Sequence, residues 1–102
     1  MKKAILDFLG KMFMTRATIT KIEAPSSKFR LITFDVALKD WKPGDKIQLN
    51  AGDWNVRTYT PFSCTASSMK LLVYLHSETT PGPRWAQSAK VGDSVQYIGP
   101  RT

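Results

Sequence analysis

Apolar residues recur along the chain at two different periods. Ile5, Leu6, Phe8, Leu9, Met12 and Phe13 fall at helical spacing, with Lys2, Lys3, Asp7 and Lys11 among them. This spacing predicts an amphipathic helix over residues 3–13, weakened by Gly10, within an N-terminal segment of residues 1–14. From Thr15 the period becomes two. "TRATITKIEA" and "FRLITFDV" read as strands joined at "PSSK", and Pro43-Gly44-Asp45 opens a third strand that carries Ile47 and Leu49 on one face. "NVRTYTPFSCTA" reads as a fourth strand, "MKLLVYLH" as a fifth and "DSVQYIG" as a sixth. The continuous apolar run of the fifth suits burial on both sides or a closed barrel.

Between the last two strands, "SETTPGPRWAQSAKVGD" contains a short helical stretch at "WAQSAK", closed by Gly92. Thr79 or Thr80 can cap its start, and Pro81 can occupy the first helical position, where no N–H is missed. Short strands at this spacing predict an antiparallel all-β barrel or sandwich over residues 15–102, with this one short helix before the last strand.

Composition bounds the function. The 102 residues suffice for one domain, and 42% hydrophobic with 23% charged residues is ordinary globular material. A net charge of +7 favours anionic partners: nucleic acid, a membrane surface, or a phosphate-bearing cofactor or substrate. One cysteine, Cys64, and one histidine, His76, exclude a disulfide framework and a zinc-type ligand set, and fit a reducing cytoplasm. Asp7 and Lys11 interrupt the apolar start, so it does not read as a secretory signal. No stretch approaches the roughly 20 apolar residues of a membrane span. Cys64 shares the apolar side of its strand with Phe62 and reads as a buried, inert thiol.

The chemistry concentrates in "VRTYTPFS", residues 56–63. Alternation puts Arg57 and Tyr59 on one strand face and Thr58, Thr60, Phe62 and Cys64 on the other. Arg57 offers a planar donor fork suited to phosphate, and Tyr59 a flat ring with a hydroxyl. The helix start after "HSETTPGP" adds a second anion-binding feature. No carboxylate pair and no nucleophile with a base in its motif stands out, so no catalytic side chain and no metal ligand are expected.

The ordered set "RTYT", "YLH", "PGPRWA" and "VGDSVQYIGPR", with "ATITKIEAPSSKFRLITFDV" and "PGDKIQL", resembles the FAD-binding barrel of the ferredoxin–NADP reductase superfamily. Within it, the chain resembles the siderophore-interacting protein family, over residues 15–102. The resemblance implies a six-stranded Greek-key barrel that binds FAD and passes electrons to the Fe(III) of a ferric siderophore. It implies Arg57 on the FAD pyrophosphate, Tyr59 against the isoalloxazine, and Thr60 near the reactive N5 edge. His76, Ser77 and Gly82 would meet the phosphate or nucleotide portion. Trp85 would either touch the ligand or anchor the short helix by packing.

Two departures stand out. Pro83 replaces a small hydroxyl residue that relatives often carry two before the tryptophan, and it supplies neither hydroxyl nor N–H. Phe62 and Ser63 stand where many members have a further arginine. The chain also holds no Gly-rich dinucleotide fingerprint, so NAD(P)H is expected to act through a nicotinamide-binding domain or partner chain that is not among these residues. Strict alternation turns Thr60 away from the face of Tyr59, so a contact near N5 requires the strand to end or bend at Pro61. The rival class is a basic barrel binding single-stranded nucleic acid on Trp41, Trp54, Tyr59 or Tyr97; the aromatics are not interleaved with a basic cluster, so no nucleic acid partner is expected.

Overall fold

A computed structural model describes residues 14–52 and 54–101. The helix expected over residues 3–13 lies outside the described residues. The described chain forms β1 (Thr15–Ser26), β2 (Phe29–Phe34), β3 (Lys46–Asn50), β4 (Val56–Tyr59), β5 (Ser63–Cys64), β6 (Met69–Tyr74), α1 (Pro81–Ser88) and β7 (Ser94–Arg101). All neighbouring strands are antiparallel, in the order β4-β3-β7-β1-β2-β6-β5.

Period-two patterning builds one core. Ala17 and Ile19, Ile32 and Phe34, Ile47 and Leu49, Met69, Leu71 and Val73, and Val95 and Tyr97 all point inward, joined by Ala86 of α1. Strand β1 is long because it serves two partners: Thr15 to Thr18 pair with β7, while Ile19 onward pairs with β2. The changeover is fixed by hydrogen bonds. The Asp35 N–H donates to Thr18 O (3.0 Å) and the Thr18 N–H to Asp35 Oδ1 (2.8 Å), while the Ile19 N–H donates to Asp93 O (2.9 Å).

The same turn is used twice. In "KPGD" and "KVGD" the aspartate N–H donates to the lysine carbonyl, at 2.9 Å for Asp45 and 3.0 Å for Asp93. The lysine N–H returns a bond to the aspartate Oδ2, at 3.0 and 2.9 Å respectively. Each turn opens a strand of the sheet, β3 or β7, which explains why both carry the motif.

Three expectations are corrected. The described residues form seven strands rather than six, because the run expected as one strand over residues 55–66 is broken after Tyr59. Pro61 has no N–H for a ladder, and the Phe62 N–H donates instead to Lys70 O (2.8 Å), which commits the following residues to β6. The halves of that run thus become β4 and β5, the opposite edges of the sheet. Consequently the sheet is open, not a closed barrel: no ladder joins those edges. Yet only Thr60, Pro61 and Phe62 separate β4 from β5, a link spanning at most about 14 Å, so the sheet is rolled until its edges approach. The third correction concerns β6, which is buried on one face only: Leu72 is 42% and Tyr74 50% exposed, because no described layer covers the outer side.

The helix begins at Pro81, the first helical position expected for it, and ends at Ser88, before the end of "WAQSAK". It packs against β2 and β6 and plugs the rolled sheet. Among the described residues no helix is long and apolar enough to cross a membrane.

Candidate functional site

The edge strand β4 brings the two residues of interest to the plugged side of the sheet. Arg57 pairs with Leu49 and Tyr59 with Ile47, both core residues, so Arg57 and Tyr59 share the inward direction. At an edge, inward means toward α1. Gly82 comes so close that a Cβ there would run into the Tyr59 hydroxyl, with Tyr59 Cζ at 3.6 Å and Arg57 Cγ at 3.8 Å from it.

The opposite wall follows β6. The Leu75 N–H donates to Lys28 O (2.7 Å), which carries the chain past the strand end to His76. Ser77 Oγ then accepts from the N–H groups of Thr79 (3.1 Å) and Thr80 (3.2 Å), turning the backbone into α1. Thr80 is the N-cap residue, with extended backbone and no side-chain cap bond. Its carbonyl accepts the Arg84 N–H at 3.1 Å. Pro81 and Pro83 have no N–H, so the Gly82 N–H is the one unengaged donor that the first turn presents.

These walls enclose an open groove of about 340 Å³, with Arg57, Thr58 and Tyr59 on one side and His76, Thr80, Gly82 and Pro83 on the other. Four of the seven expected site residues therefore meet: Arg57, Tyr59, His76 and Gly82. Thr60 is exposed just past the end of β4, where the ladder has stopped, so the irregularity that its proposed role requires is present. Ser77 braces the turn rather than lining the groove. Trp85 packs between the core and the site, with its ring stacked on Phe34 (6.4 Å between centroids, 7°) and tilted against Tyr59 (6.3 Å, 41°). It buttresses the ring of Tyr59.

Thr58, Thr80 and Pro83 also line the groove, and sequence reasoning did not name them as binding residues. Thr80 and Pro83 flank Gly82 at a helix start that the sequence located, so proximity could have found them. Thr58 could not be found that way, because alternation assigns it to the other face.

The groove is cationic and weakly neutralised. The guanidinium of Arg57 is exposed and donates to Val56 O at 2.9 Å, and it forms no ion pair among the described residues. Burial pushes the Tyr59 phenol above its ordinary range, opposed in smaller part by Arg57, so the hydroxyl is a neutral donor at neutral pH. His76 continues an aromatic row on the outer wall, 5.5 Å from Tyr74, which stacks on Phe29 at 5.2 Å.

A second, smaller groove of about 170 Å³ adjoins the first at Thr58 and is lined by Lys46, Ile47, Gln48, Thr58, Ile98 and Arg101. Lys46 and Arg101 are direct cross-strand partners. Like charges in that position repel, and no described carboxylate bridges them. Gly99 makes the pairing sterically feasible, since a Cβ there would stand 3.0 Å from Lys46 O and 3.1 Å from Ile47 Cα.

The remaining candidates carry less. No group of three or more metal-ligating side chains occurs among the described residues. Cys64 is half-buried and burial pushes its thiol pKa up, which disfavours the reactive thiolate; Phe62, expected beside it on the apolar side, is 64% exposed. Tyr97 is only 5% exposed and belongs to the core, so it cannot serve as a stacking platform for nucleic acid. The groove between β4 and α1 thus offers a guanidinium, a helix-start N–H and a flat ring. Those groups have the chemistry that a planar ligand bearing phosphate requires.

A search of curated protein sequences gave no match. Among solved structures, the siderophore-interacting protein of Acinetobacter baumannii superposes with a TM-score of 0.77 at 24% identity, over 87% of this chain and 41% of that one. A siderophore-interacting protein of Aeromonas hydrophila gives 0.68 at 23% identity, over 86% and 43%. Phthalate dioxygenase reductase gives 0.78 at 16% identity, over 89% and 30%. The chain therefore spans about two-fifths of the length of the siderophore-interacting proteins whose fold it shares. Residues 39–102 match the family described as the siderophore-interacting FAD-binding domain, and the chain belongs to that family.

Proposed function

We propose that this chain is the flavin-holding part of a reductase that passes electrons through FAD to a ferric siderophore. Reducing equivalents come from NAD(P)H, at a nicotinamide-binding domain or partner chain outside residues 1–102. The observation that carries this reading is the convergence of Arg57 and Tyr59, on the edge strand β4, with His76 of the chain leaving β6 and Gly82 of the helix start on one groove.

The residues fit FAD. A diphosphate needs positive charge and N–H donors, which Arg57 and the Gly82 N–H supply, with the Thr80 hydroxyl and His76 on the same wall. An isoalloxazine needs a flat apolar surface of fixed orientation, which Tyr59 provides because Trp85 backs it. Thr60, freed from the ladder, offers its hydroxyl for the N5 edge. Ser77 acts indirectly, by holding the turn that aims Gly82. When bound between these residues, FAD would supply the redox chemistry that links a two-electron nicotinamide donor to a one-electron Fe(III) acceptor.

The protein then has to hold the acceptor close by. Lys46 and Arg101 present two unneutralised cations beside Thr58, next to the flavin groove, and an anionic ferric chelate would relieve their repulsion. The iron is substrate, released as Fe(II) because the chelator prefers the harder ion. A reaction fed by NAD(P)H belongs in the cytoplasm.

The test uses the full 102-residue chain incubated with FAD. Bound-flavin absorbance that survives desalting is expected. After anaerobic chemical reduction, a ferric tris-catecholate should restore the oxidised flavin spectrum. Failure to retain FAD, or a reduced flavin indifferent to the ferric chelate, would contradict the proposal.

A further inference from the structure

We infer that Gly82 is a positioning residue for Tyr59: the space left by its missing side chain seats the Tyr59 hydroxyl and so fixes the angle of the ring in the groove. The inference rests on the flavin reading of that groove.

Glycine at this position is not explained by backbone freedom. Gly44, Gly52 and Gly92 have left-handed φ values of +96°, +99° and +97°, with nothing within 4 Å of where a Cβ would stand. Gly82 is the reverse case. It sits in the first turn of α1 with ordinary helical backbone, where glycine is a poorer helix former than alanine, and its Cβ position is blocked by Tyr59. The space is therefore used by the phenol.

A tyrosine ring is rigid beyond its first two torsions, so moving the hydroxyl tilts the whole ring. Trp85 stands 6.3 Å away on the helix, so the ring is set between the helix start and the indole. A methyl group at Gly82 would take the place of the hydroxyl, so the ring has to change its angle in the groove that Arg57 and His76 line. The same residue also carries the N–H that the first turn leaves unengaged. One glycine thereby sets the distance between the ring surface and the anion-binding end of the groove.

The test is a double-mutant cycle of Gly82→Ala and Tyr59→Phe, read by FAD affinity, by the bound-flavin spectrum, and by thermal unfolding without FAD. With Tyr59 present, Gly82→Ala should weaken FAD binding about tenfold or more and shift the spectrum; in the Tyr59→Phe background the same change should cost less than about threefold. Without FAD, Gly82→Ala should lower the melting temperature beside Tyr59. In the Tyr59→Phe background it should raise it, because the obstructing hydroxyl is gone and helix propensity acts alone. Equal effects in both backgrounds would place the cause in the helix backbone and overturn the inference alone. So would a Gly82→Ala chain with unchanged affinity and spectrum. No FAD binding by the unsubstituted chain would overturn the flavin reading together with this role, and is recognised because it precedes any substitution.

Discussion

Among the described residues, Arg57 is the only lysine or arginine on the walls of the larger groove, and its guanidinium donates to the carbonyl of its own neighbour, Val56. Its charge is thus available to a ligand and contributes little to the fold. Arg57→Ala is expected to weaken FAD binding about 10- to 100-fold, the range for a lost charge-assisted hydrogen bond, with the melting temperature unchanged. Titration of flavin fluorescence with each chain, beside a thermal melt, checks both halves. Arg57 and Tyr59 were legible in the sequence because strand alternation is a local rule that holds at an edge. The reach of Thr58 into both grooves was not, since it depends on the edge having no further neighbour to cover it. Tyr97 was misread as a possible platform for the same kind of reason: alternation placed it on one face without revealing which face was the core.

At the scale of elements, the helix start is the informative case. A typical first turn presents several free N–H groups, but α1 presents only that of Gly82, because Pro81 and Pro83 remove their own. Pro83→Ser returns one donor and a hydroxyl to the groove wall. It is expected to tighten FAD binding by about threefold to tenfold, the worth of one net hydrogen bond, as read in the same titration; unchanged affinity would show that this wall does not meet the phosphates. The helix itself was visible in its proline, glycine and tryptophan pattern. The break between β4 and β5 was only half visible. Pro61 announced an interruption, but the new partner of the chain, the Lys70 carbonyl of β6, is a non-local choice that no strand pattern encodes.

For the whole molecule, two of the fifteen lysines and arginines behind the net charge of +7 stand together. Lys46 and Arg101 face each other at the smaller groove, which meets the larger one at Thr58. Lys46→Glu should slow reoxidation of reduced flavin by an anionic ferric chelate about tenfold at low salt, with FAD affinity unchanged and the difference shrinking as salt rises. Stopped-flow traces at two ionic strengths decide it; a rate equal to that of the unsubstituted chain would move the acceptor elsewhere. The sequence conveyed the β class, the strand positions and the resemblance that the family match upholds. It did not convey openness, because closure depends on whether two edges bond across a gap rather than on any pattern within a strand. That gap has a mechanical meaning. The two rims of the rolled sheet are tethered through Thr60, Pro61 and Phe62, and the larger groove takes one wall from the strand at one rim and the other from the chain leaving β6, beside the opposite rim. If FAD lies in that groove as proposed, it would touch both walls and act as a clasp, supplying across the seam contacts that the sheet does not make with itself.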